Sequence, residues 1–307
     1  MKTANTLVLE SPPPLAVAVG YFDGVHLGHQ AVIQEAMKTK AQGLSCCVLS
    51  FSIDESRPVL KQNIQFLQSP SLKAGAMKEL GVDWFLTPDF SLFKQLTPEQ
   101  FALDVLYRGL NARLICCGYD YHFGKDAAAG PLELSQLLSP FGVSVLQVGA
   151  VIDDGIPVSS TRIREYLKSG DIQSANRLLG RPYSINFPVE HGRRLGHRLG
   201  FPTANQLISG RYVAPKFGVY STEVIIDGTS HPAVTNVGIN PTVGSDAIKA
   251  ESYILDWSGD LYGKPVETRF LRFLRPEKKF EALSDLQQAI AKDAEQARSL
   301  LKTHSNE

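Results

Sequence analysis

A chain of 307 residues exceeds what one ordinary core takes up, so two domains are expected. Its 43% apolar and 20% charged residues describe a globular protein rather than a disordered one. Lysine plus arginine equals aspartate plus glutamate, 31 each, which excludes a global attraction to nucleic acid or to an anionic membrane.

Near the N-terminus the apolar run Leu15–Val19 is too short for a signal peptide or a membrane helix, so a cytoplasmic protein is expected. Any phosphate binding must come from local geometry. Strands are predicted at Leu15–Val19, Cys46–Phe51, Val82–Leu86, Leu114–Cys116 and Val143–Val148. Between them fall amphipathic helices around Gly28–Lys40, Ser71–Leu80, Pro98–Leu110 and Pro131–Leu138. This alternation predicts a doubly wound parallel sheet covered on both faces. Two helices follow, one opened by Ser159, Ser160 and Thr161 and one running from Asp171 to Leu179.

The four cysteines are adjacent pairs, Cys46–Cys47 and Cys116–Cys117, inside strand-like runs. Neighbouring strand side chains point to opposite faces, so neither pair makes a disulfide or a zinc clamp. Reduced, structural thiols are expected.

After Gly180–Pro182 the texture changes to short β-branched or aromatic runs, among them Gly218–Val224, Ala233–Val237 and Ser252–Leu255. Glycine, proline and asparagine separate them, the pattern of a compact antiparallel barrel or sandwich. The domains are therefore expected at 1–182 and 183–307. A final helix is predicted from Ser284, with Gln287 completing a capping box and Leu286, Ile290, Ala294, Ala297 and Leu301 facing the barrel.

Gly20–His29, reading GYFDGVHLGH, follows the first strand and leads into the first helix, where α/β folds bind nucleotides. Gly20, Gly24 and Gly28 permit tight turns and close backbone approach, and a helix N-terminus favours an anion. His26 and His29 are spaced to share one face of the first turn and to donate to nucleotide phosphates. A plain capping turn with space-filling histidines is the competing reading. Ser159–Arg164 sets hydroxyls at a helix start, which a cap alone explains. Its two arginines oppose the helix dipole, however, and an anion bound there would compensate. Cys117–Lys125 again follows a strand, and Asp120 is placed to meet a ribose or adenine edge, unless this is an aromatic-anchored surface loop.

In the second half, Gly200–Asn205 holds Thr203 and Asn205, whose side chains project to one side of an extended segment. With phosphate oxygens and waters they complete an octahedral magnesium shell; an ordinary turn is the alternative. His191–Arg198 is a basic, glycine-containing loop suited to phosphates or to plain solvation. Glu251 alternates onto one face with Tyr253 and Leu255, where a carboxylate accepts a proton from a substrate hydroxyl, although exposed strand glutamates are commonplace.

Taken in order, GYFDGVHLGH, GYDYHFGKDAAAG and SSTRIREYLKSGD resemble the adenylyltransferase module of bacterial bifunctional riboflavin kinase/FAD synthetases. That module is similar to the nucleotidyltransferases with the HxGH signature. The resemblance implies transfer of AMP from ATP to FMN with release of pyrophosphate. It implies His26 and His29 at the reacting phosphates, and ATP contacts from Gly20, Phe22, Asp23, Gly24, Gly28, Asp120, Ser160, Thr161 and Arg164. The pattern departs at Asp54, which stands where the family has a histidine, and at Tyr21, where Asn or Thr is more usual.

LGFPTAN, FGVYSTEV, TNVGINPTVG, AESYILD and DLYGKPVETRFLRFLRPEKKF resemble the riboflavin kinase module of the same family. A third departure is Asn186–Pro188, where a glycine commonly stands. The resemblance implies a β-barrel moving the γ-phosphate of MgATP to riboflavin. It implies Thr203 and Asn205 at the metal, Glu251 as general base and Arg275 near the flavin. Riboflavin, FMN and ATP are the implied partners. Two alternatives stay open: a kinase with weak or lost adenylyl transfer, and a flavin- or nucleotide-sensing module without turnover.

Overall fold

A computed structural model describes residues 1–52, 65–191, 201–239 and 248–304. By internal contacts the chain divides into two compact units, Met1–Ile64 with Lys73–Ser159, and Gln65–Leu72 with Ser160–Glu307. This division falls at residue 159, ahead of the expected 182/183 boundary, because the helices Ser160–Ser169 and Ile172–Leu179 go with the second unit.

The first unit is built on six strands: β1 (Lys2–Ala4), β2 (Leu15–Val19), β3 (Ser45–Leu49), β4 (Trp84–Leu86), β5 (Ala112–Gly118) and β6 (Ser144–Val148). They lie in the order β1-β4-β3-β2-β5-β6, every neighbouring pair parallel. The doubly wound sheet is as expected. Strand β2 is an unbroken apolar run buried at every position, which suits a central parallel strand covered on both faces. Cys47 and Cys117 fall in the core on one face of the sheet, Cys46 and Cys116 in the core on the other, and all four are free thiols. Burial pushes Cys46 and Cys116 up to about 12 and Cys117 to about 11, and Cys47 shifts the same way.

Three elements of this unit were not anticipated. One is the edge strand β1; another is the hairpin of β7 (Ile152–Asp153) and β8 (Ile156–Pro157). The third is the hydrogen-bonding class of Phe101–Gly109, which is a π-helix. It is launched by a capping box in which Thr97 and Gln100 satisfy each other's backbone N–H at 2.9 and 3.1 Å.

The second unit carries β9 (Tyr183–Ile185), β10 (Val189–Glu190), β11 (Thr203–Ile208), β12 (Gly218–Ile226), β13 (Thr229–Ile239), β14 (Ile248–Ile254) and β15 (Glu267–Arg275). All pairs are antiparallel, in the order β10-β11-β14-β13-β12-β15-β9. Strands β9 and β10 are almost consecutive in the chain yet occupy the two opposite edges. The sheet must therefore curl until its edges nearly meet, which is the barrel implied by the family resemblance rather than the sandwich that the short strands also allowed. Gln206 fastens this curl from inside. Its Nε2 donates to the carbonyls of Phe187 (2.8 Å) and Val266 (2.7 Å), and its Oε1 accepts from Thr268 (2.7 Å). A buried hydroxyl chain, Thr222–Thr235–Ser252, joins three strands at 2.7 and 2.8 Å.

Helix Ile172–Leu179 has the expected ends, with Asp171 capping the N–H of Ser174 at 3.1 Å and Gly180 in the left-handed region. Asn176 ties it to the barrel by donating to Phe270 O (2.8 Å) and accepting from Tyr183 N (2.7 Å). Asn186, one of the departures from the family pattern, is held between two serines, with Ser69 Oγ at 2.6 Å and Ser71 Oγ at 2.8 Å.

The terminal helix runs over Leu283–His304 and starts one residue before the predicted cap. Ser284 is therefore inside the first turn, its hydroxyl turned to Asp285 at 3.5 Å, and the capping box is corrected. Of the predicted stripe, Ala294 and Ala297 are buried against Val219, Val234 and Leu255, and the Leu301 side chain lies outside the described residues.

Candidate active sites in the two units

Strand order in the first sheet reverses at β2, which has β3 on one side and β5 on the other. Such a switch point opens a crevice at the carboxyl ends of the strands, where ligands of α/β proteins bind. The two glycine-containing loops predicted to bind a nucleotide leave these two neighbouring strands, whose last paired residues are Val19 and Cys117.

The loop after β2 is tightly wound. Phe22 and Val25 both adopt positive φ, +52° and +42°, as does Gly24. Non-glycine residues persist in that region only where their surroundings hold them. The Phe22 ring is buried beside Gly20, where a Cβ would come within 3.0 Å of its tip. Asp23 and His26 are buried as well. His26 is the N-cap of helix Leu27–Lys38, its Nδ1 accepting the backbone N–H of His29 at 3.3 Å. A neutral ring that accepts at Nδ1 carries its proton on Nε2, so the Nε2 edge of His26 is a donor. The His26 and His29 rings stack with centroids 3.6 Å apart, and Phe22 meets His29 edge-on at 5.3 Å. A Cβ at Gly28 would press on the His26 ring at 3.2 Å and meet the Val158 carbonyl at 3.7 Å. The stacked pair and its glycine thus form one fixed group at a helix N-terminus.

In the loop after β5, Asp120 is exposed. Its carboxylate folds back over Gly118, and its carbonyl lies 2.9 Å from His122 Nδ1. Tyr121 and Phe123 stack beneath it with centroids 5.9 Å apart. Ser160, Thr161 and Arg164 lie in the first turns of helix Ser160–Ser169, and Arg164 Nε donates to Gln65 O at 2.7 Å. Asp54 and Arg193–Arg198 lie outside the described residues.

In the barrel the predicted kinase residues line up. Directly opposed residues of antiparallel strands share a face. Asn205 opposes Glu251, Glu251 opposes Asn236, Asn236 opposes Val219, and Val219 opposes Arg275. Thr203 and Tyr253 form the next pair along that face. Thr203 and Asn205 are therefore strand residues rather than part of a turn. Asn205 is 5% exposed; its Nδ2 donates to Thr203 O at 3.3 Å, and its buried Oδ1 has no hydrogen-bond partner among the described residues. Buried polar atoms are rarely left so, and a bare amide oxygen beside a threonine suits a hard divalent cation. Glu251, in contrast, keeps 41% of its side chain exposed, so a substrate hydroxyl can reach it. Lys249 Nζ holds its Oε1 at 2.7 Å.

Arg275 pairs with the terminal helix. Its Nη2 lies 2.8 Å from Asp293 Oδ2, and its Nε donates to both oxygens of that buried carboxylate. The guanidinium thereby pins the terminal helix to β15. Lys249, Asn236 and Asp293 were not anticipated, because their roles come from cross-strand register and helix docking rather than from a motif.

The riboflavin kinase family model matches residues 179–301, and the FAD synthetase family model matches residues 9–162. The chain belongs to the bifunctional riboflavin kinase/FMN adenylyltransferase family. A relative of that description from Listeria monocytogenes is 35% identical, over 92% of this chain and 91% of its own. Another, from Escherichia coli K12, is 31% identical over the same shares. A crystal structure from Streptococcus pneumoniae described as a macrolide-efflux protein is 28% identical with a TM-score of 0.81, covering 96% of this chain and 98% of that one. Among the described residues of the present chain, no helix is long and apolar enough to cross a membrane.

Proposed function

We propose that this protein makes FMN from riboflavin and MgATP in its barrel, and FAD from FMN and ATP in its parallel-sheet part, releasing pyrophosphate. The observation that carries the reading is the pairing of Asn205, with its bare buried oxygen, directly across from the accessible carboxylate of Glu251.

In the kinase reaction Glu251 takes the proton of the riboflavin 5′-hydroxyl as that oxygen attacks the γ-phosphorus and ADP departs. Lys249 orients the carboxylate. Thr203 and Asn205 would hold magnesium, which when bound neutralises phosphate charge. Arg275 acts on the flavin side through the terminal helix that it anchors.

In the second reaction a phosphate oxygen of FMN attacks the α-phosphorus of ATP, and pyrophosphate leaves. Phosphoryl-type transfer needs chiefly alignment and charge stabilisation. His26 through Nε2–H, His29, and the N-terminus of helix Leu27–Lys38 would supply both to the departing phosphates. Asp120 would meet the adenosine, and Ser160, Thr161 and Arg164 would grip the phosphates, giving that activity a functional extent of 1–182. The buried, reduced cysteines support a cytoplasmic enzyme.

The test of the FAD-forming half supplies purified protein with FMN, MgATP and pyrophosphatase. FAD formation with one pyrophosphate released per FAD supports the reading. Its absence, beside intact riboflavin phosphorylation, reduces the protein to a kinase.

A further inference from the structure

Lys73 lies in helix Pro70–Glu79 and is only 5% exposed, a rare condition for an ammonium group. Its Nζ donates to Tyr21 O at 2.5 Å and to Ser50 Oγ at 2.7 Å. Ser50 Oγ in turn donates to the same Tyr21 carbonyl at 3.0 Å, which closes a triangle. The Tyr21 ring lies 5.2 Å from the ammonium and packs against Phe51 at 4.6 Å. Lys73 thus holds Tyr21 by both its carbonyl and its ring.

Tyr21 opens the phosphate-facing loop, immediately before the strained Phe22. That loop is also fastened by Gly20 N to Leu49 O (3.2 Å), Val25 N to Phe22 O (3.3 Å) and Gln30 Nε2 to Val25 O (2.9 Å). These three are neutral hydrogen bonds, whereas the bond from the Lys73 ammonium is charge-assisted, the stronger kind. Without it, the loop bearing two non-glycine residues at positive φ loses a charge-assisted anchor at the point where the backbone leaves the sheet.

We infer that Lys73, assisted by Ser50, is a positioning residue for adenylyl transfer, holding Tyr21 so that the His26–His29 pair stays aligned on the nucleotide phosphates. The inference rests on the reading of those histidines as the adenylyl-transfer pair. In this role Lys73 acts through the backbone of the loop, at the Tyr21 carbonyl.

The test compares Lys73→Met, Lys73→Arg, Ser50→Ala and His29→Ala in the full chain. It follows FAD formation from FMN and MgATP, riboflavin phosphorylation, and amide hydrogen exchange over residues 20–29. Lys73→Met is expected to lower kcat for FAD formation by about tenfold or more, because small misplacements of reacting groups are costly. The KM for ATP should change less, riboflavin phosphorylation should stay within about twofold, and exchange over residues 20–26 should quicken. Lys73→Arg, which keeps the charge, should restore part of kcat. If Lys73→Met does not fold, Ser50→Ala carries the test: kcat falls with the same rise in exchange, and an unchanged rate overturns the inference.

His29→Ala should lose FAD formation without altered exchange over residues 20–25. If it stays active, the histidine assignment fails and the role of Lys73 falls with it. Full FAD formation by Lys73→Met beside an inactive His29→Ala overturns the positioning role alone. So does equal loss of both activities with a lowered Tm, which is the signature of a merely structural lysine.

Discussion

Glu251 and Asn205 oppose each other across two strands, but their surroundings differ, and chemistry follows from the difference. The carboxylate is accessible and steadied by Lys249; the amide oxygen is buried and bare among the described residues. Glu251→Gln keeps the shape and removes the proposed base, so riboflavin phosphorylation should fall by about 10²–10⁴-fold while calorimetric binding of riboflavin and MgATP persists. Undiminished turnover would remove Glu251 from the base role. Asn205→Ala should raise the magnesium concentration needed for half-maximal kinase rate, measured by titrating the metal at fixed ATP. An unchanged requirement would place the cation elsewhere. These residues were legible in the sequence because side chains two apart on a strand share a face. Lys73, Ser50 and Asp293 were not legible: each acts on a partner far away in the chain, and no spacing rule reports such a meeting.

Among the elements, the terminal helix is anchored by a residue expected at the flavin. Arg275 was expected beside the flavin, and its guanidinium is bound to the buried Asp293 of that helix. Removing the carboxylate strands a partly buried cation, so Asp293→Ala should cost about 1.5–3 kcal/mol in urea unfolding, the range for hydrogen bonds to charged groups. The double variant Arg275→Met/Asp293→Ala should recover part of that loss, and strict additivity would deny the coupling. Apolar spacing correctly gave the helix and its inward face. Its start moved by one residue, since Ser284 sits within the first turn. The central strands were legible as continuous apolar runs, whereas β1 and the β7–β8 hairpin are too short to leave a periodic signal. The π-helix over Phe101–Gly109 has the apolar pattern of an α-helix, and sequence pattern does not separate the two.

For the whole molecule, the sequence carried the two-part organisation through its change of texture after Gly180. The contact division at residue 159 depends on helix docking, such as the bonds of Asn176 to Phe270 and Tyr183, which no local pattern records. The thiols of the parallel sheet give a global pH signature. In the fold Cys46, Cys116 and Cys117 stay protonated up to about 11–12, against an ordinary value of 9.0. The unfolded chain therefore releases protons first, so the thiols' contribution to stability is present below pH 9.0 and declines as pH rises through that interval. Denaturant midpoints measured from pH 8 upward should fall across it, and thiol reagents should label the native protein slowly; rapid labelling at neutral pH would contradict the burial.

Two activities in one chain is the central claim, and product analysis tests it most directly. Riboflavin and MgATP are incubated with the purified protein, and FMN is separated from FAD over time. FMN should appear first and FAD after it; Glu251→Gln should yield neither from riboflavin yet still convert supplied FMN to FAD, and His29→Ala should stop at FMN. Absence of both products from the unaltered protein, or FAD formation from riboflavin undiminished in either variant, would contradict the account.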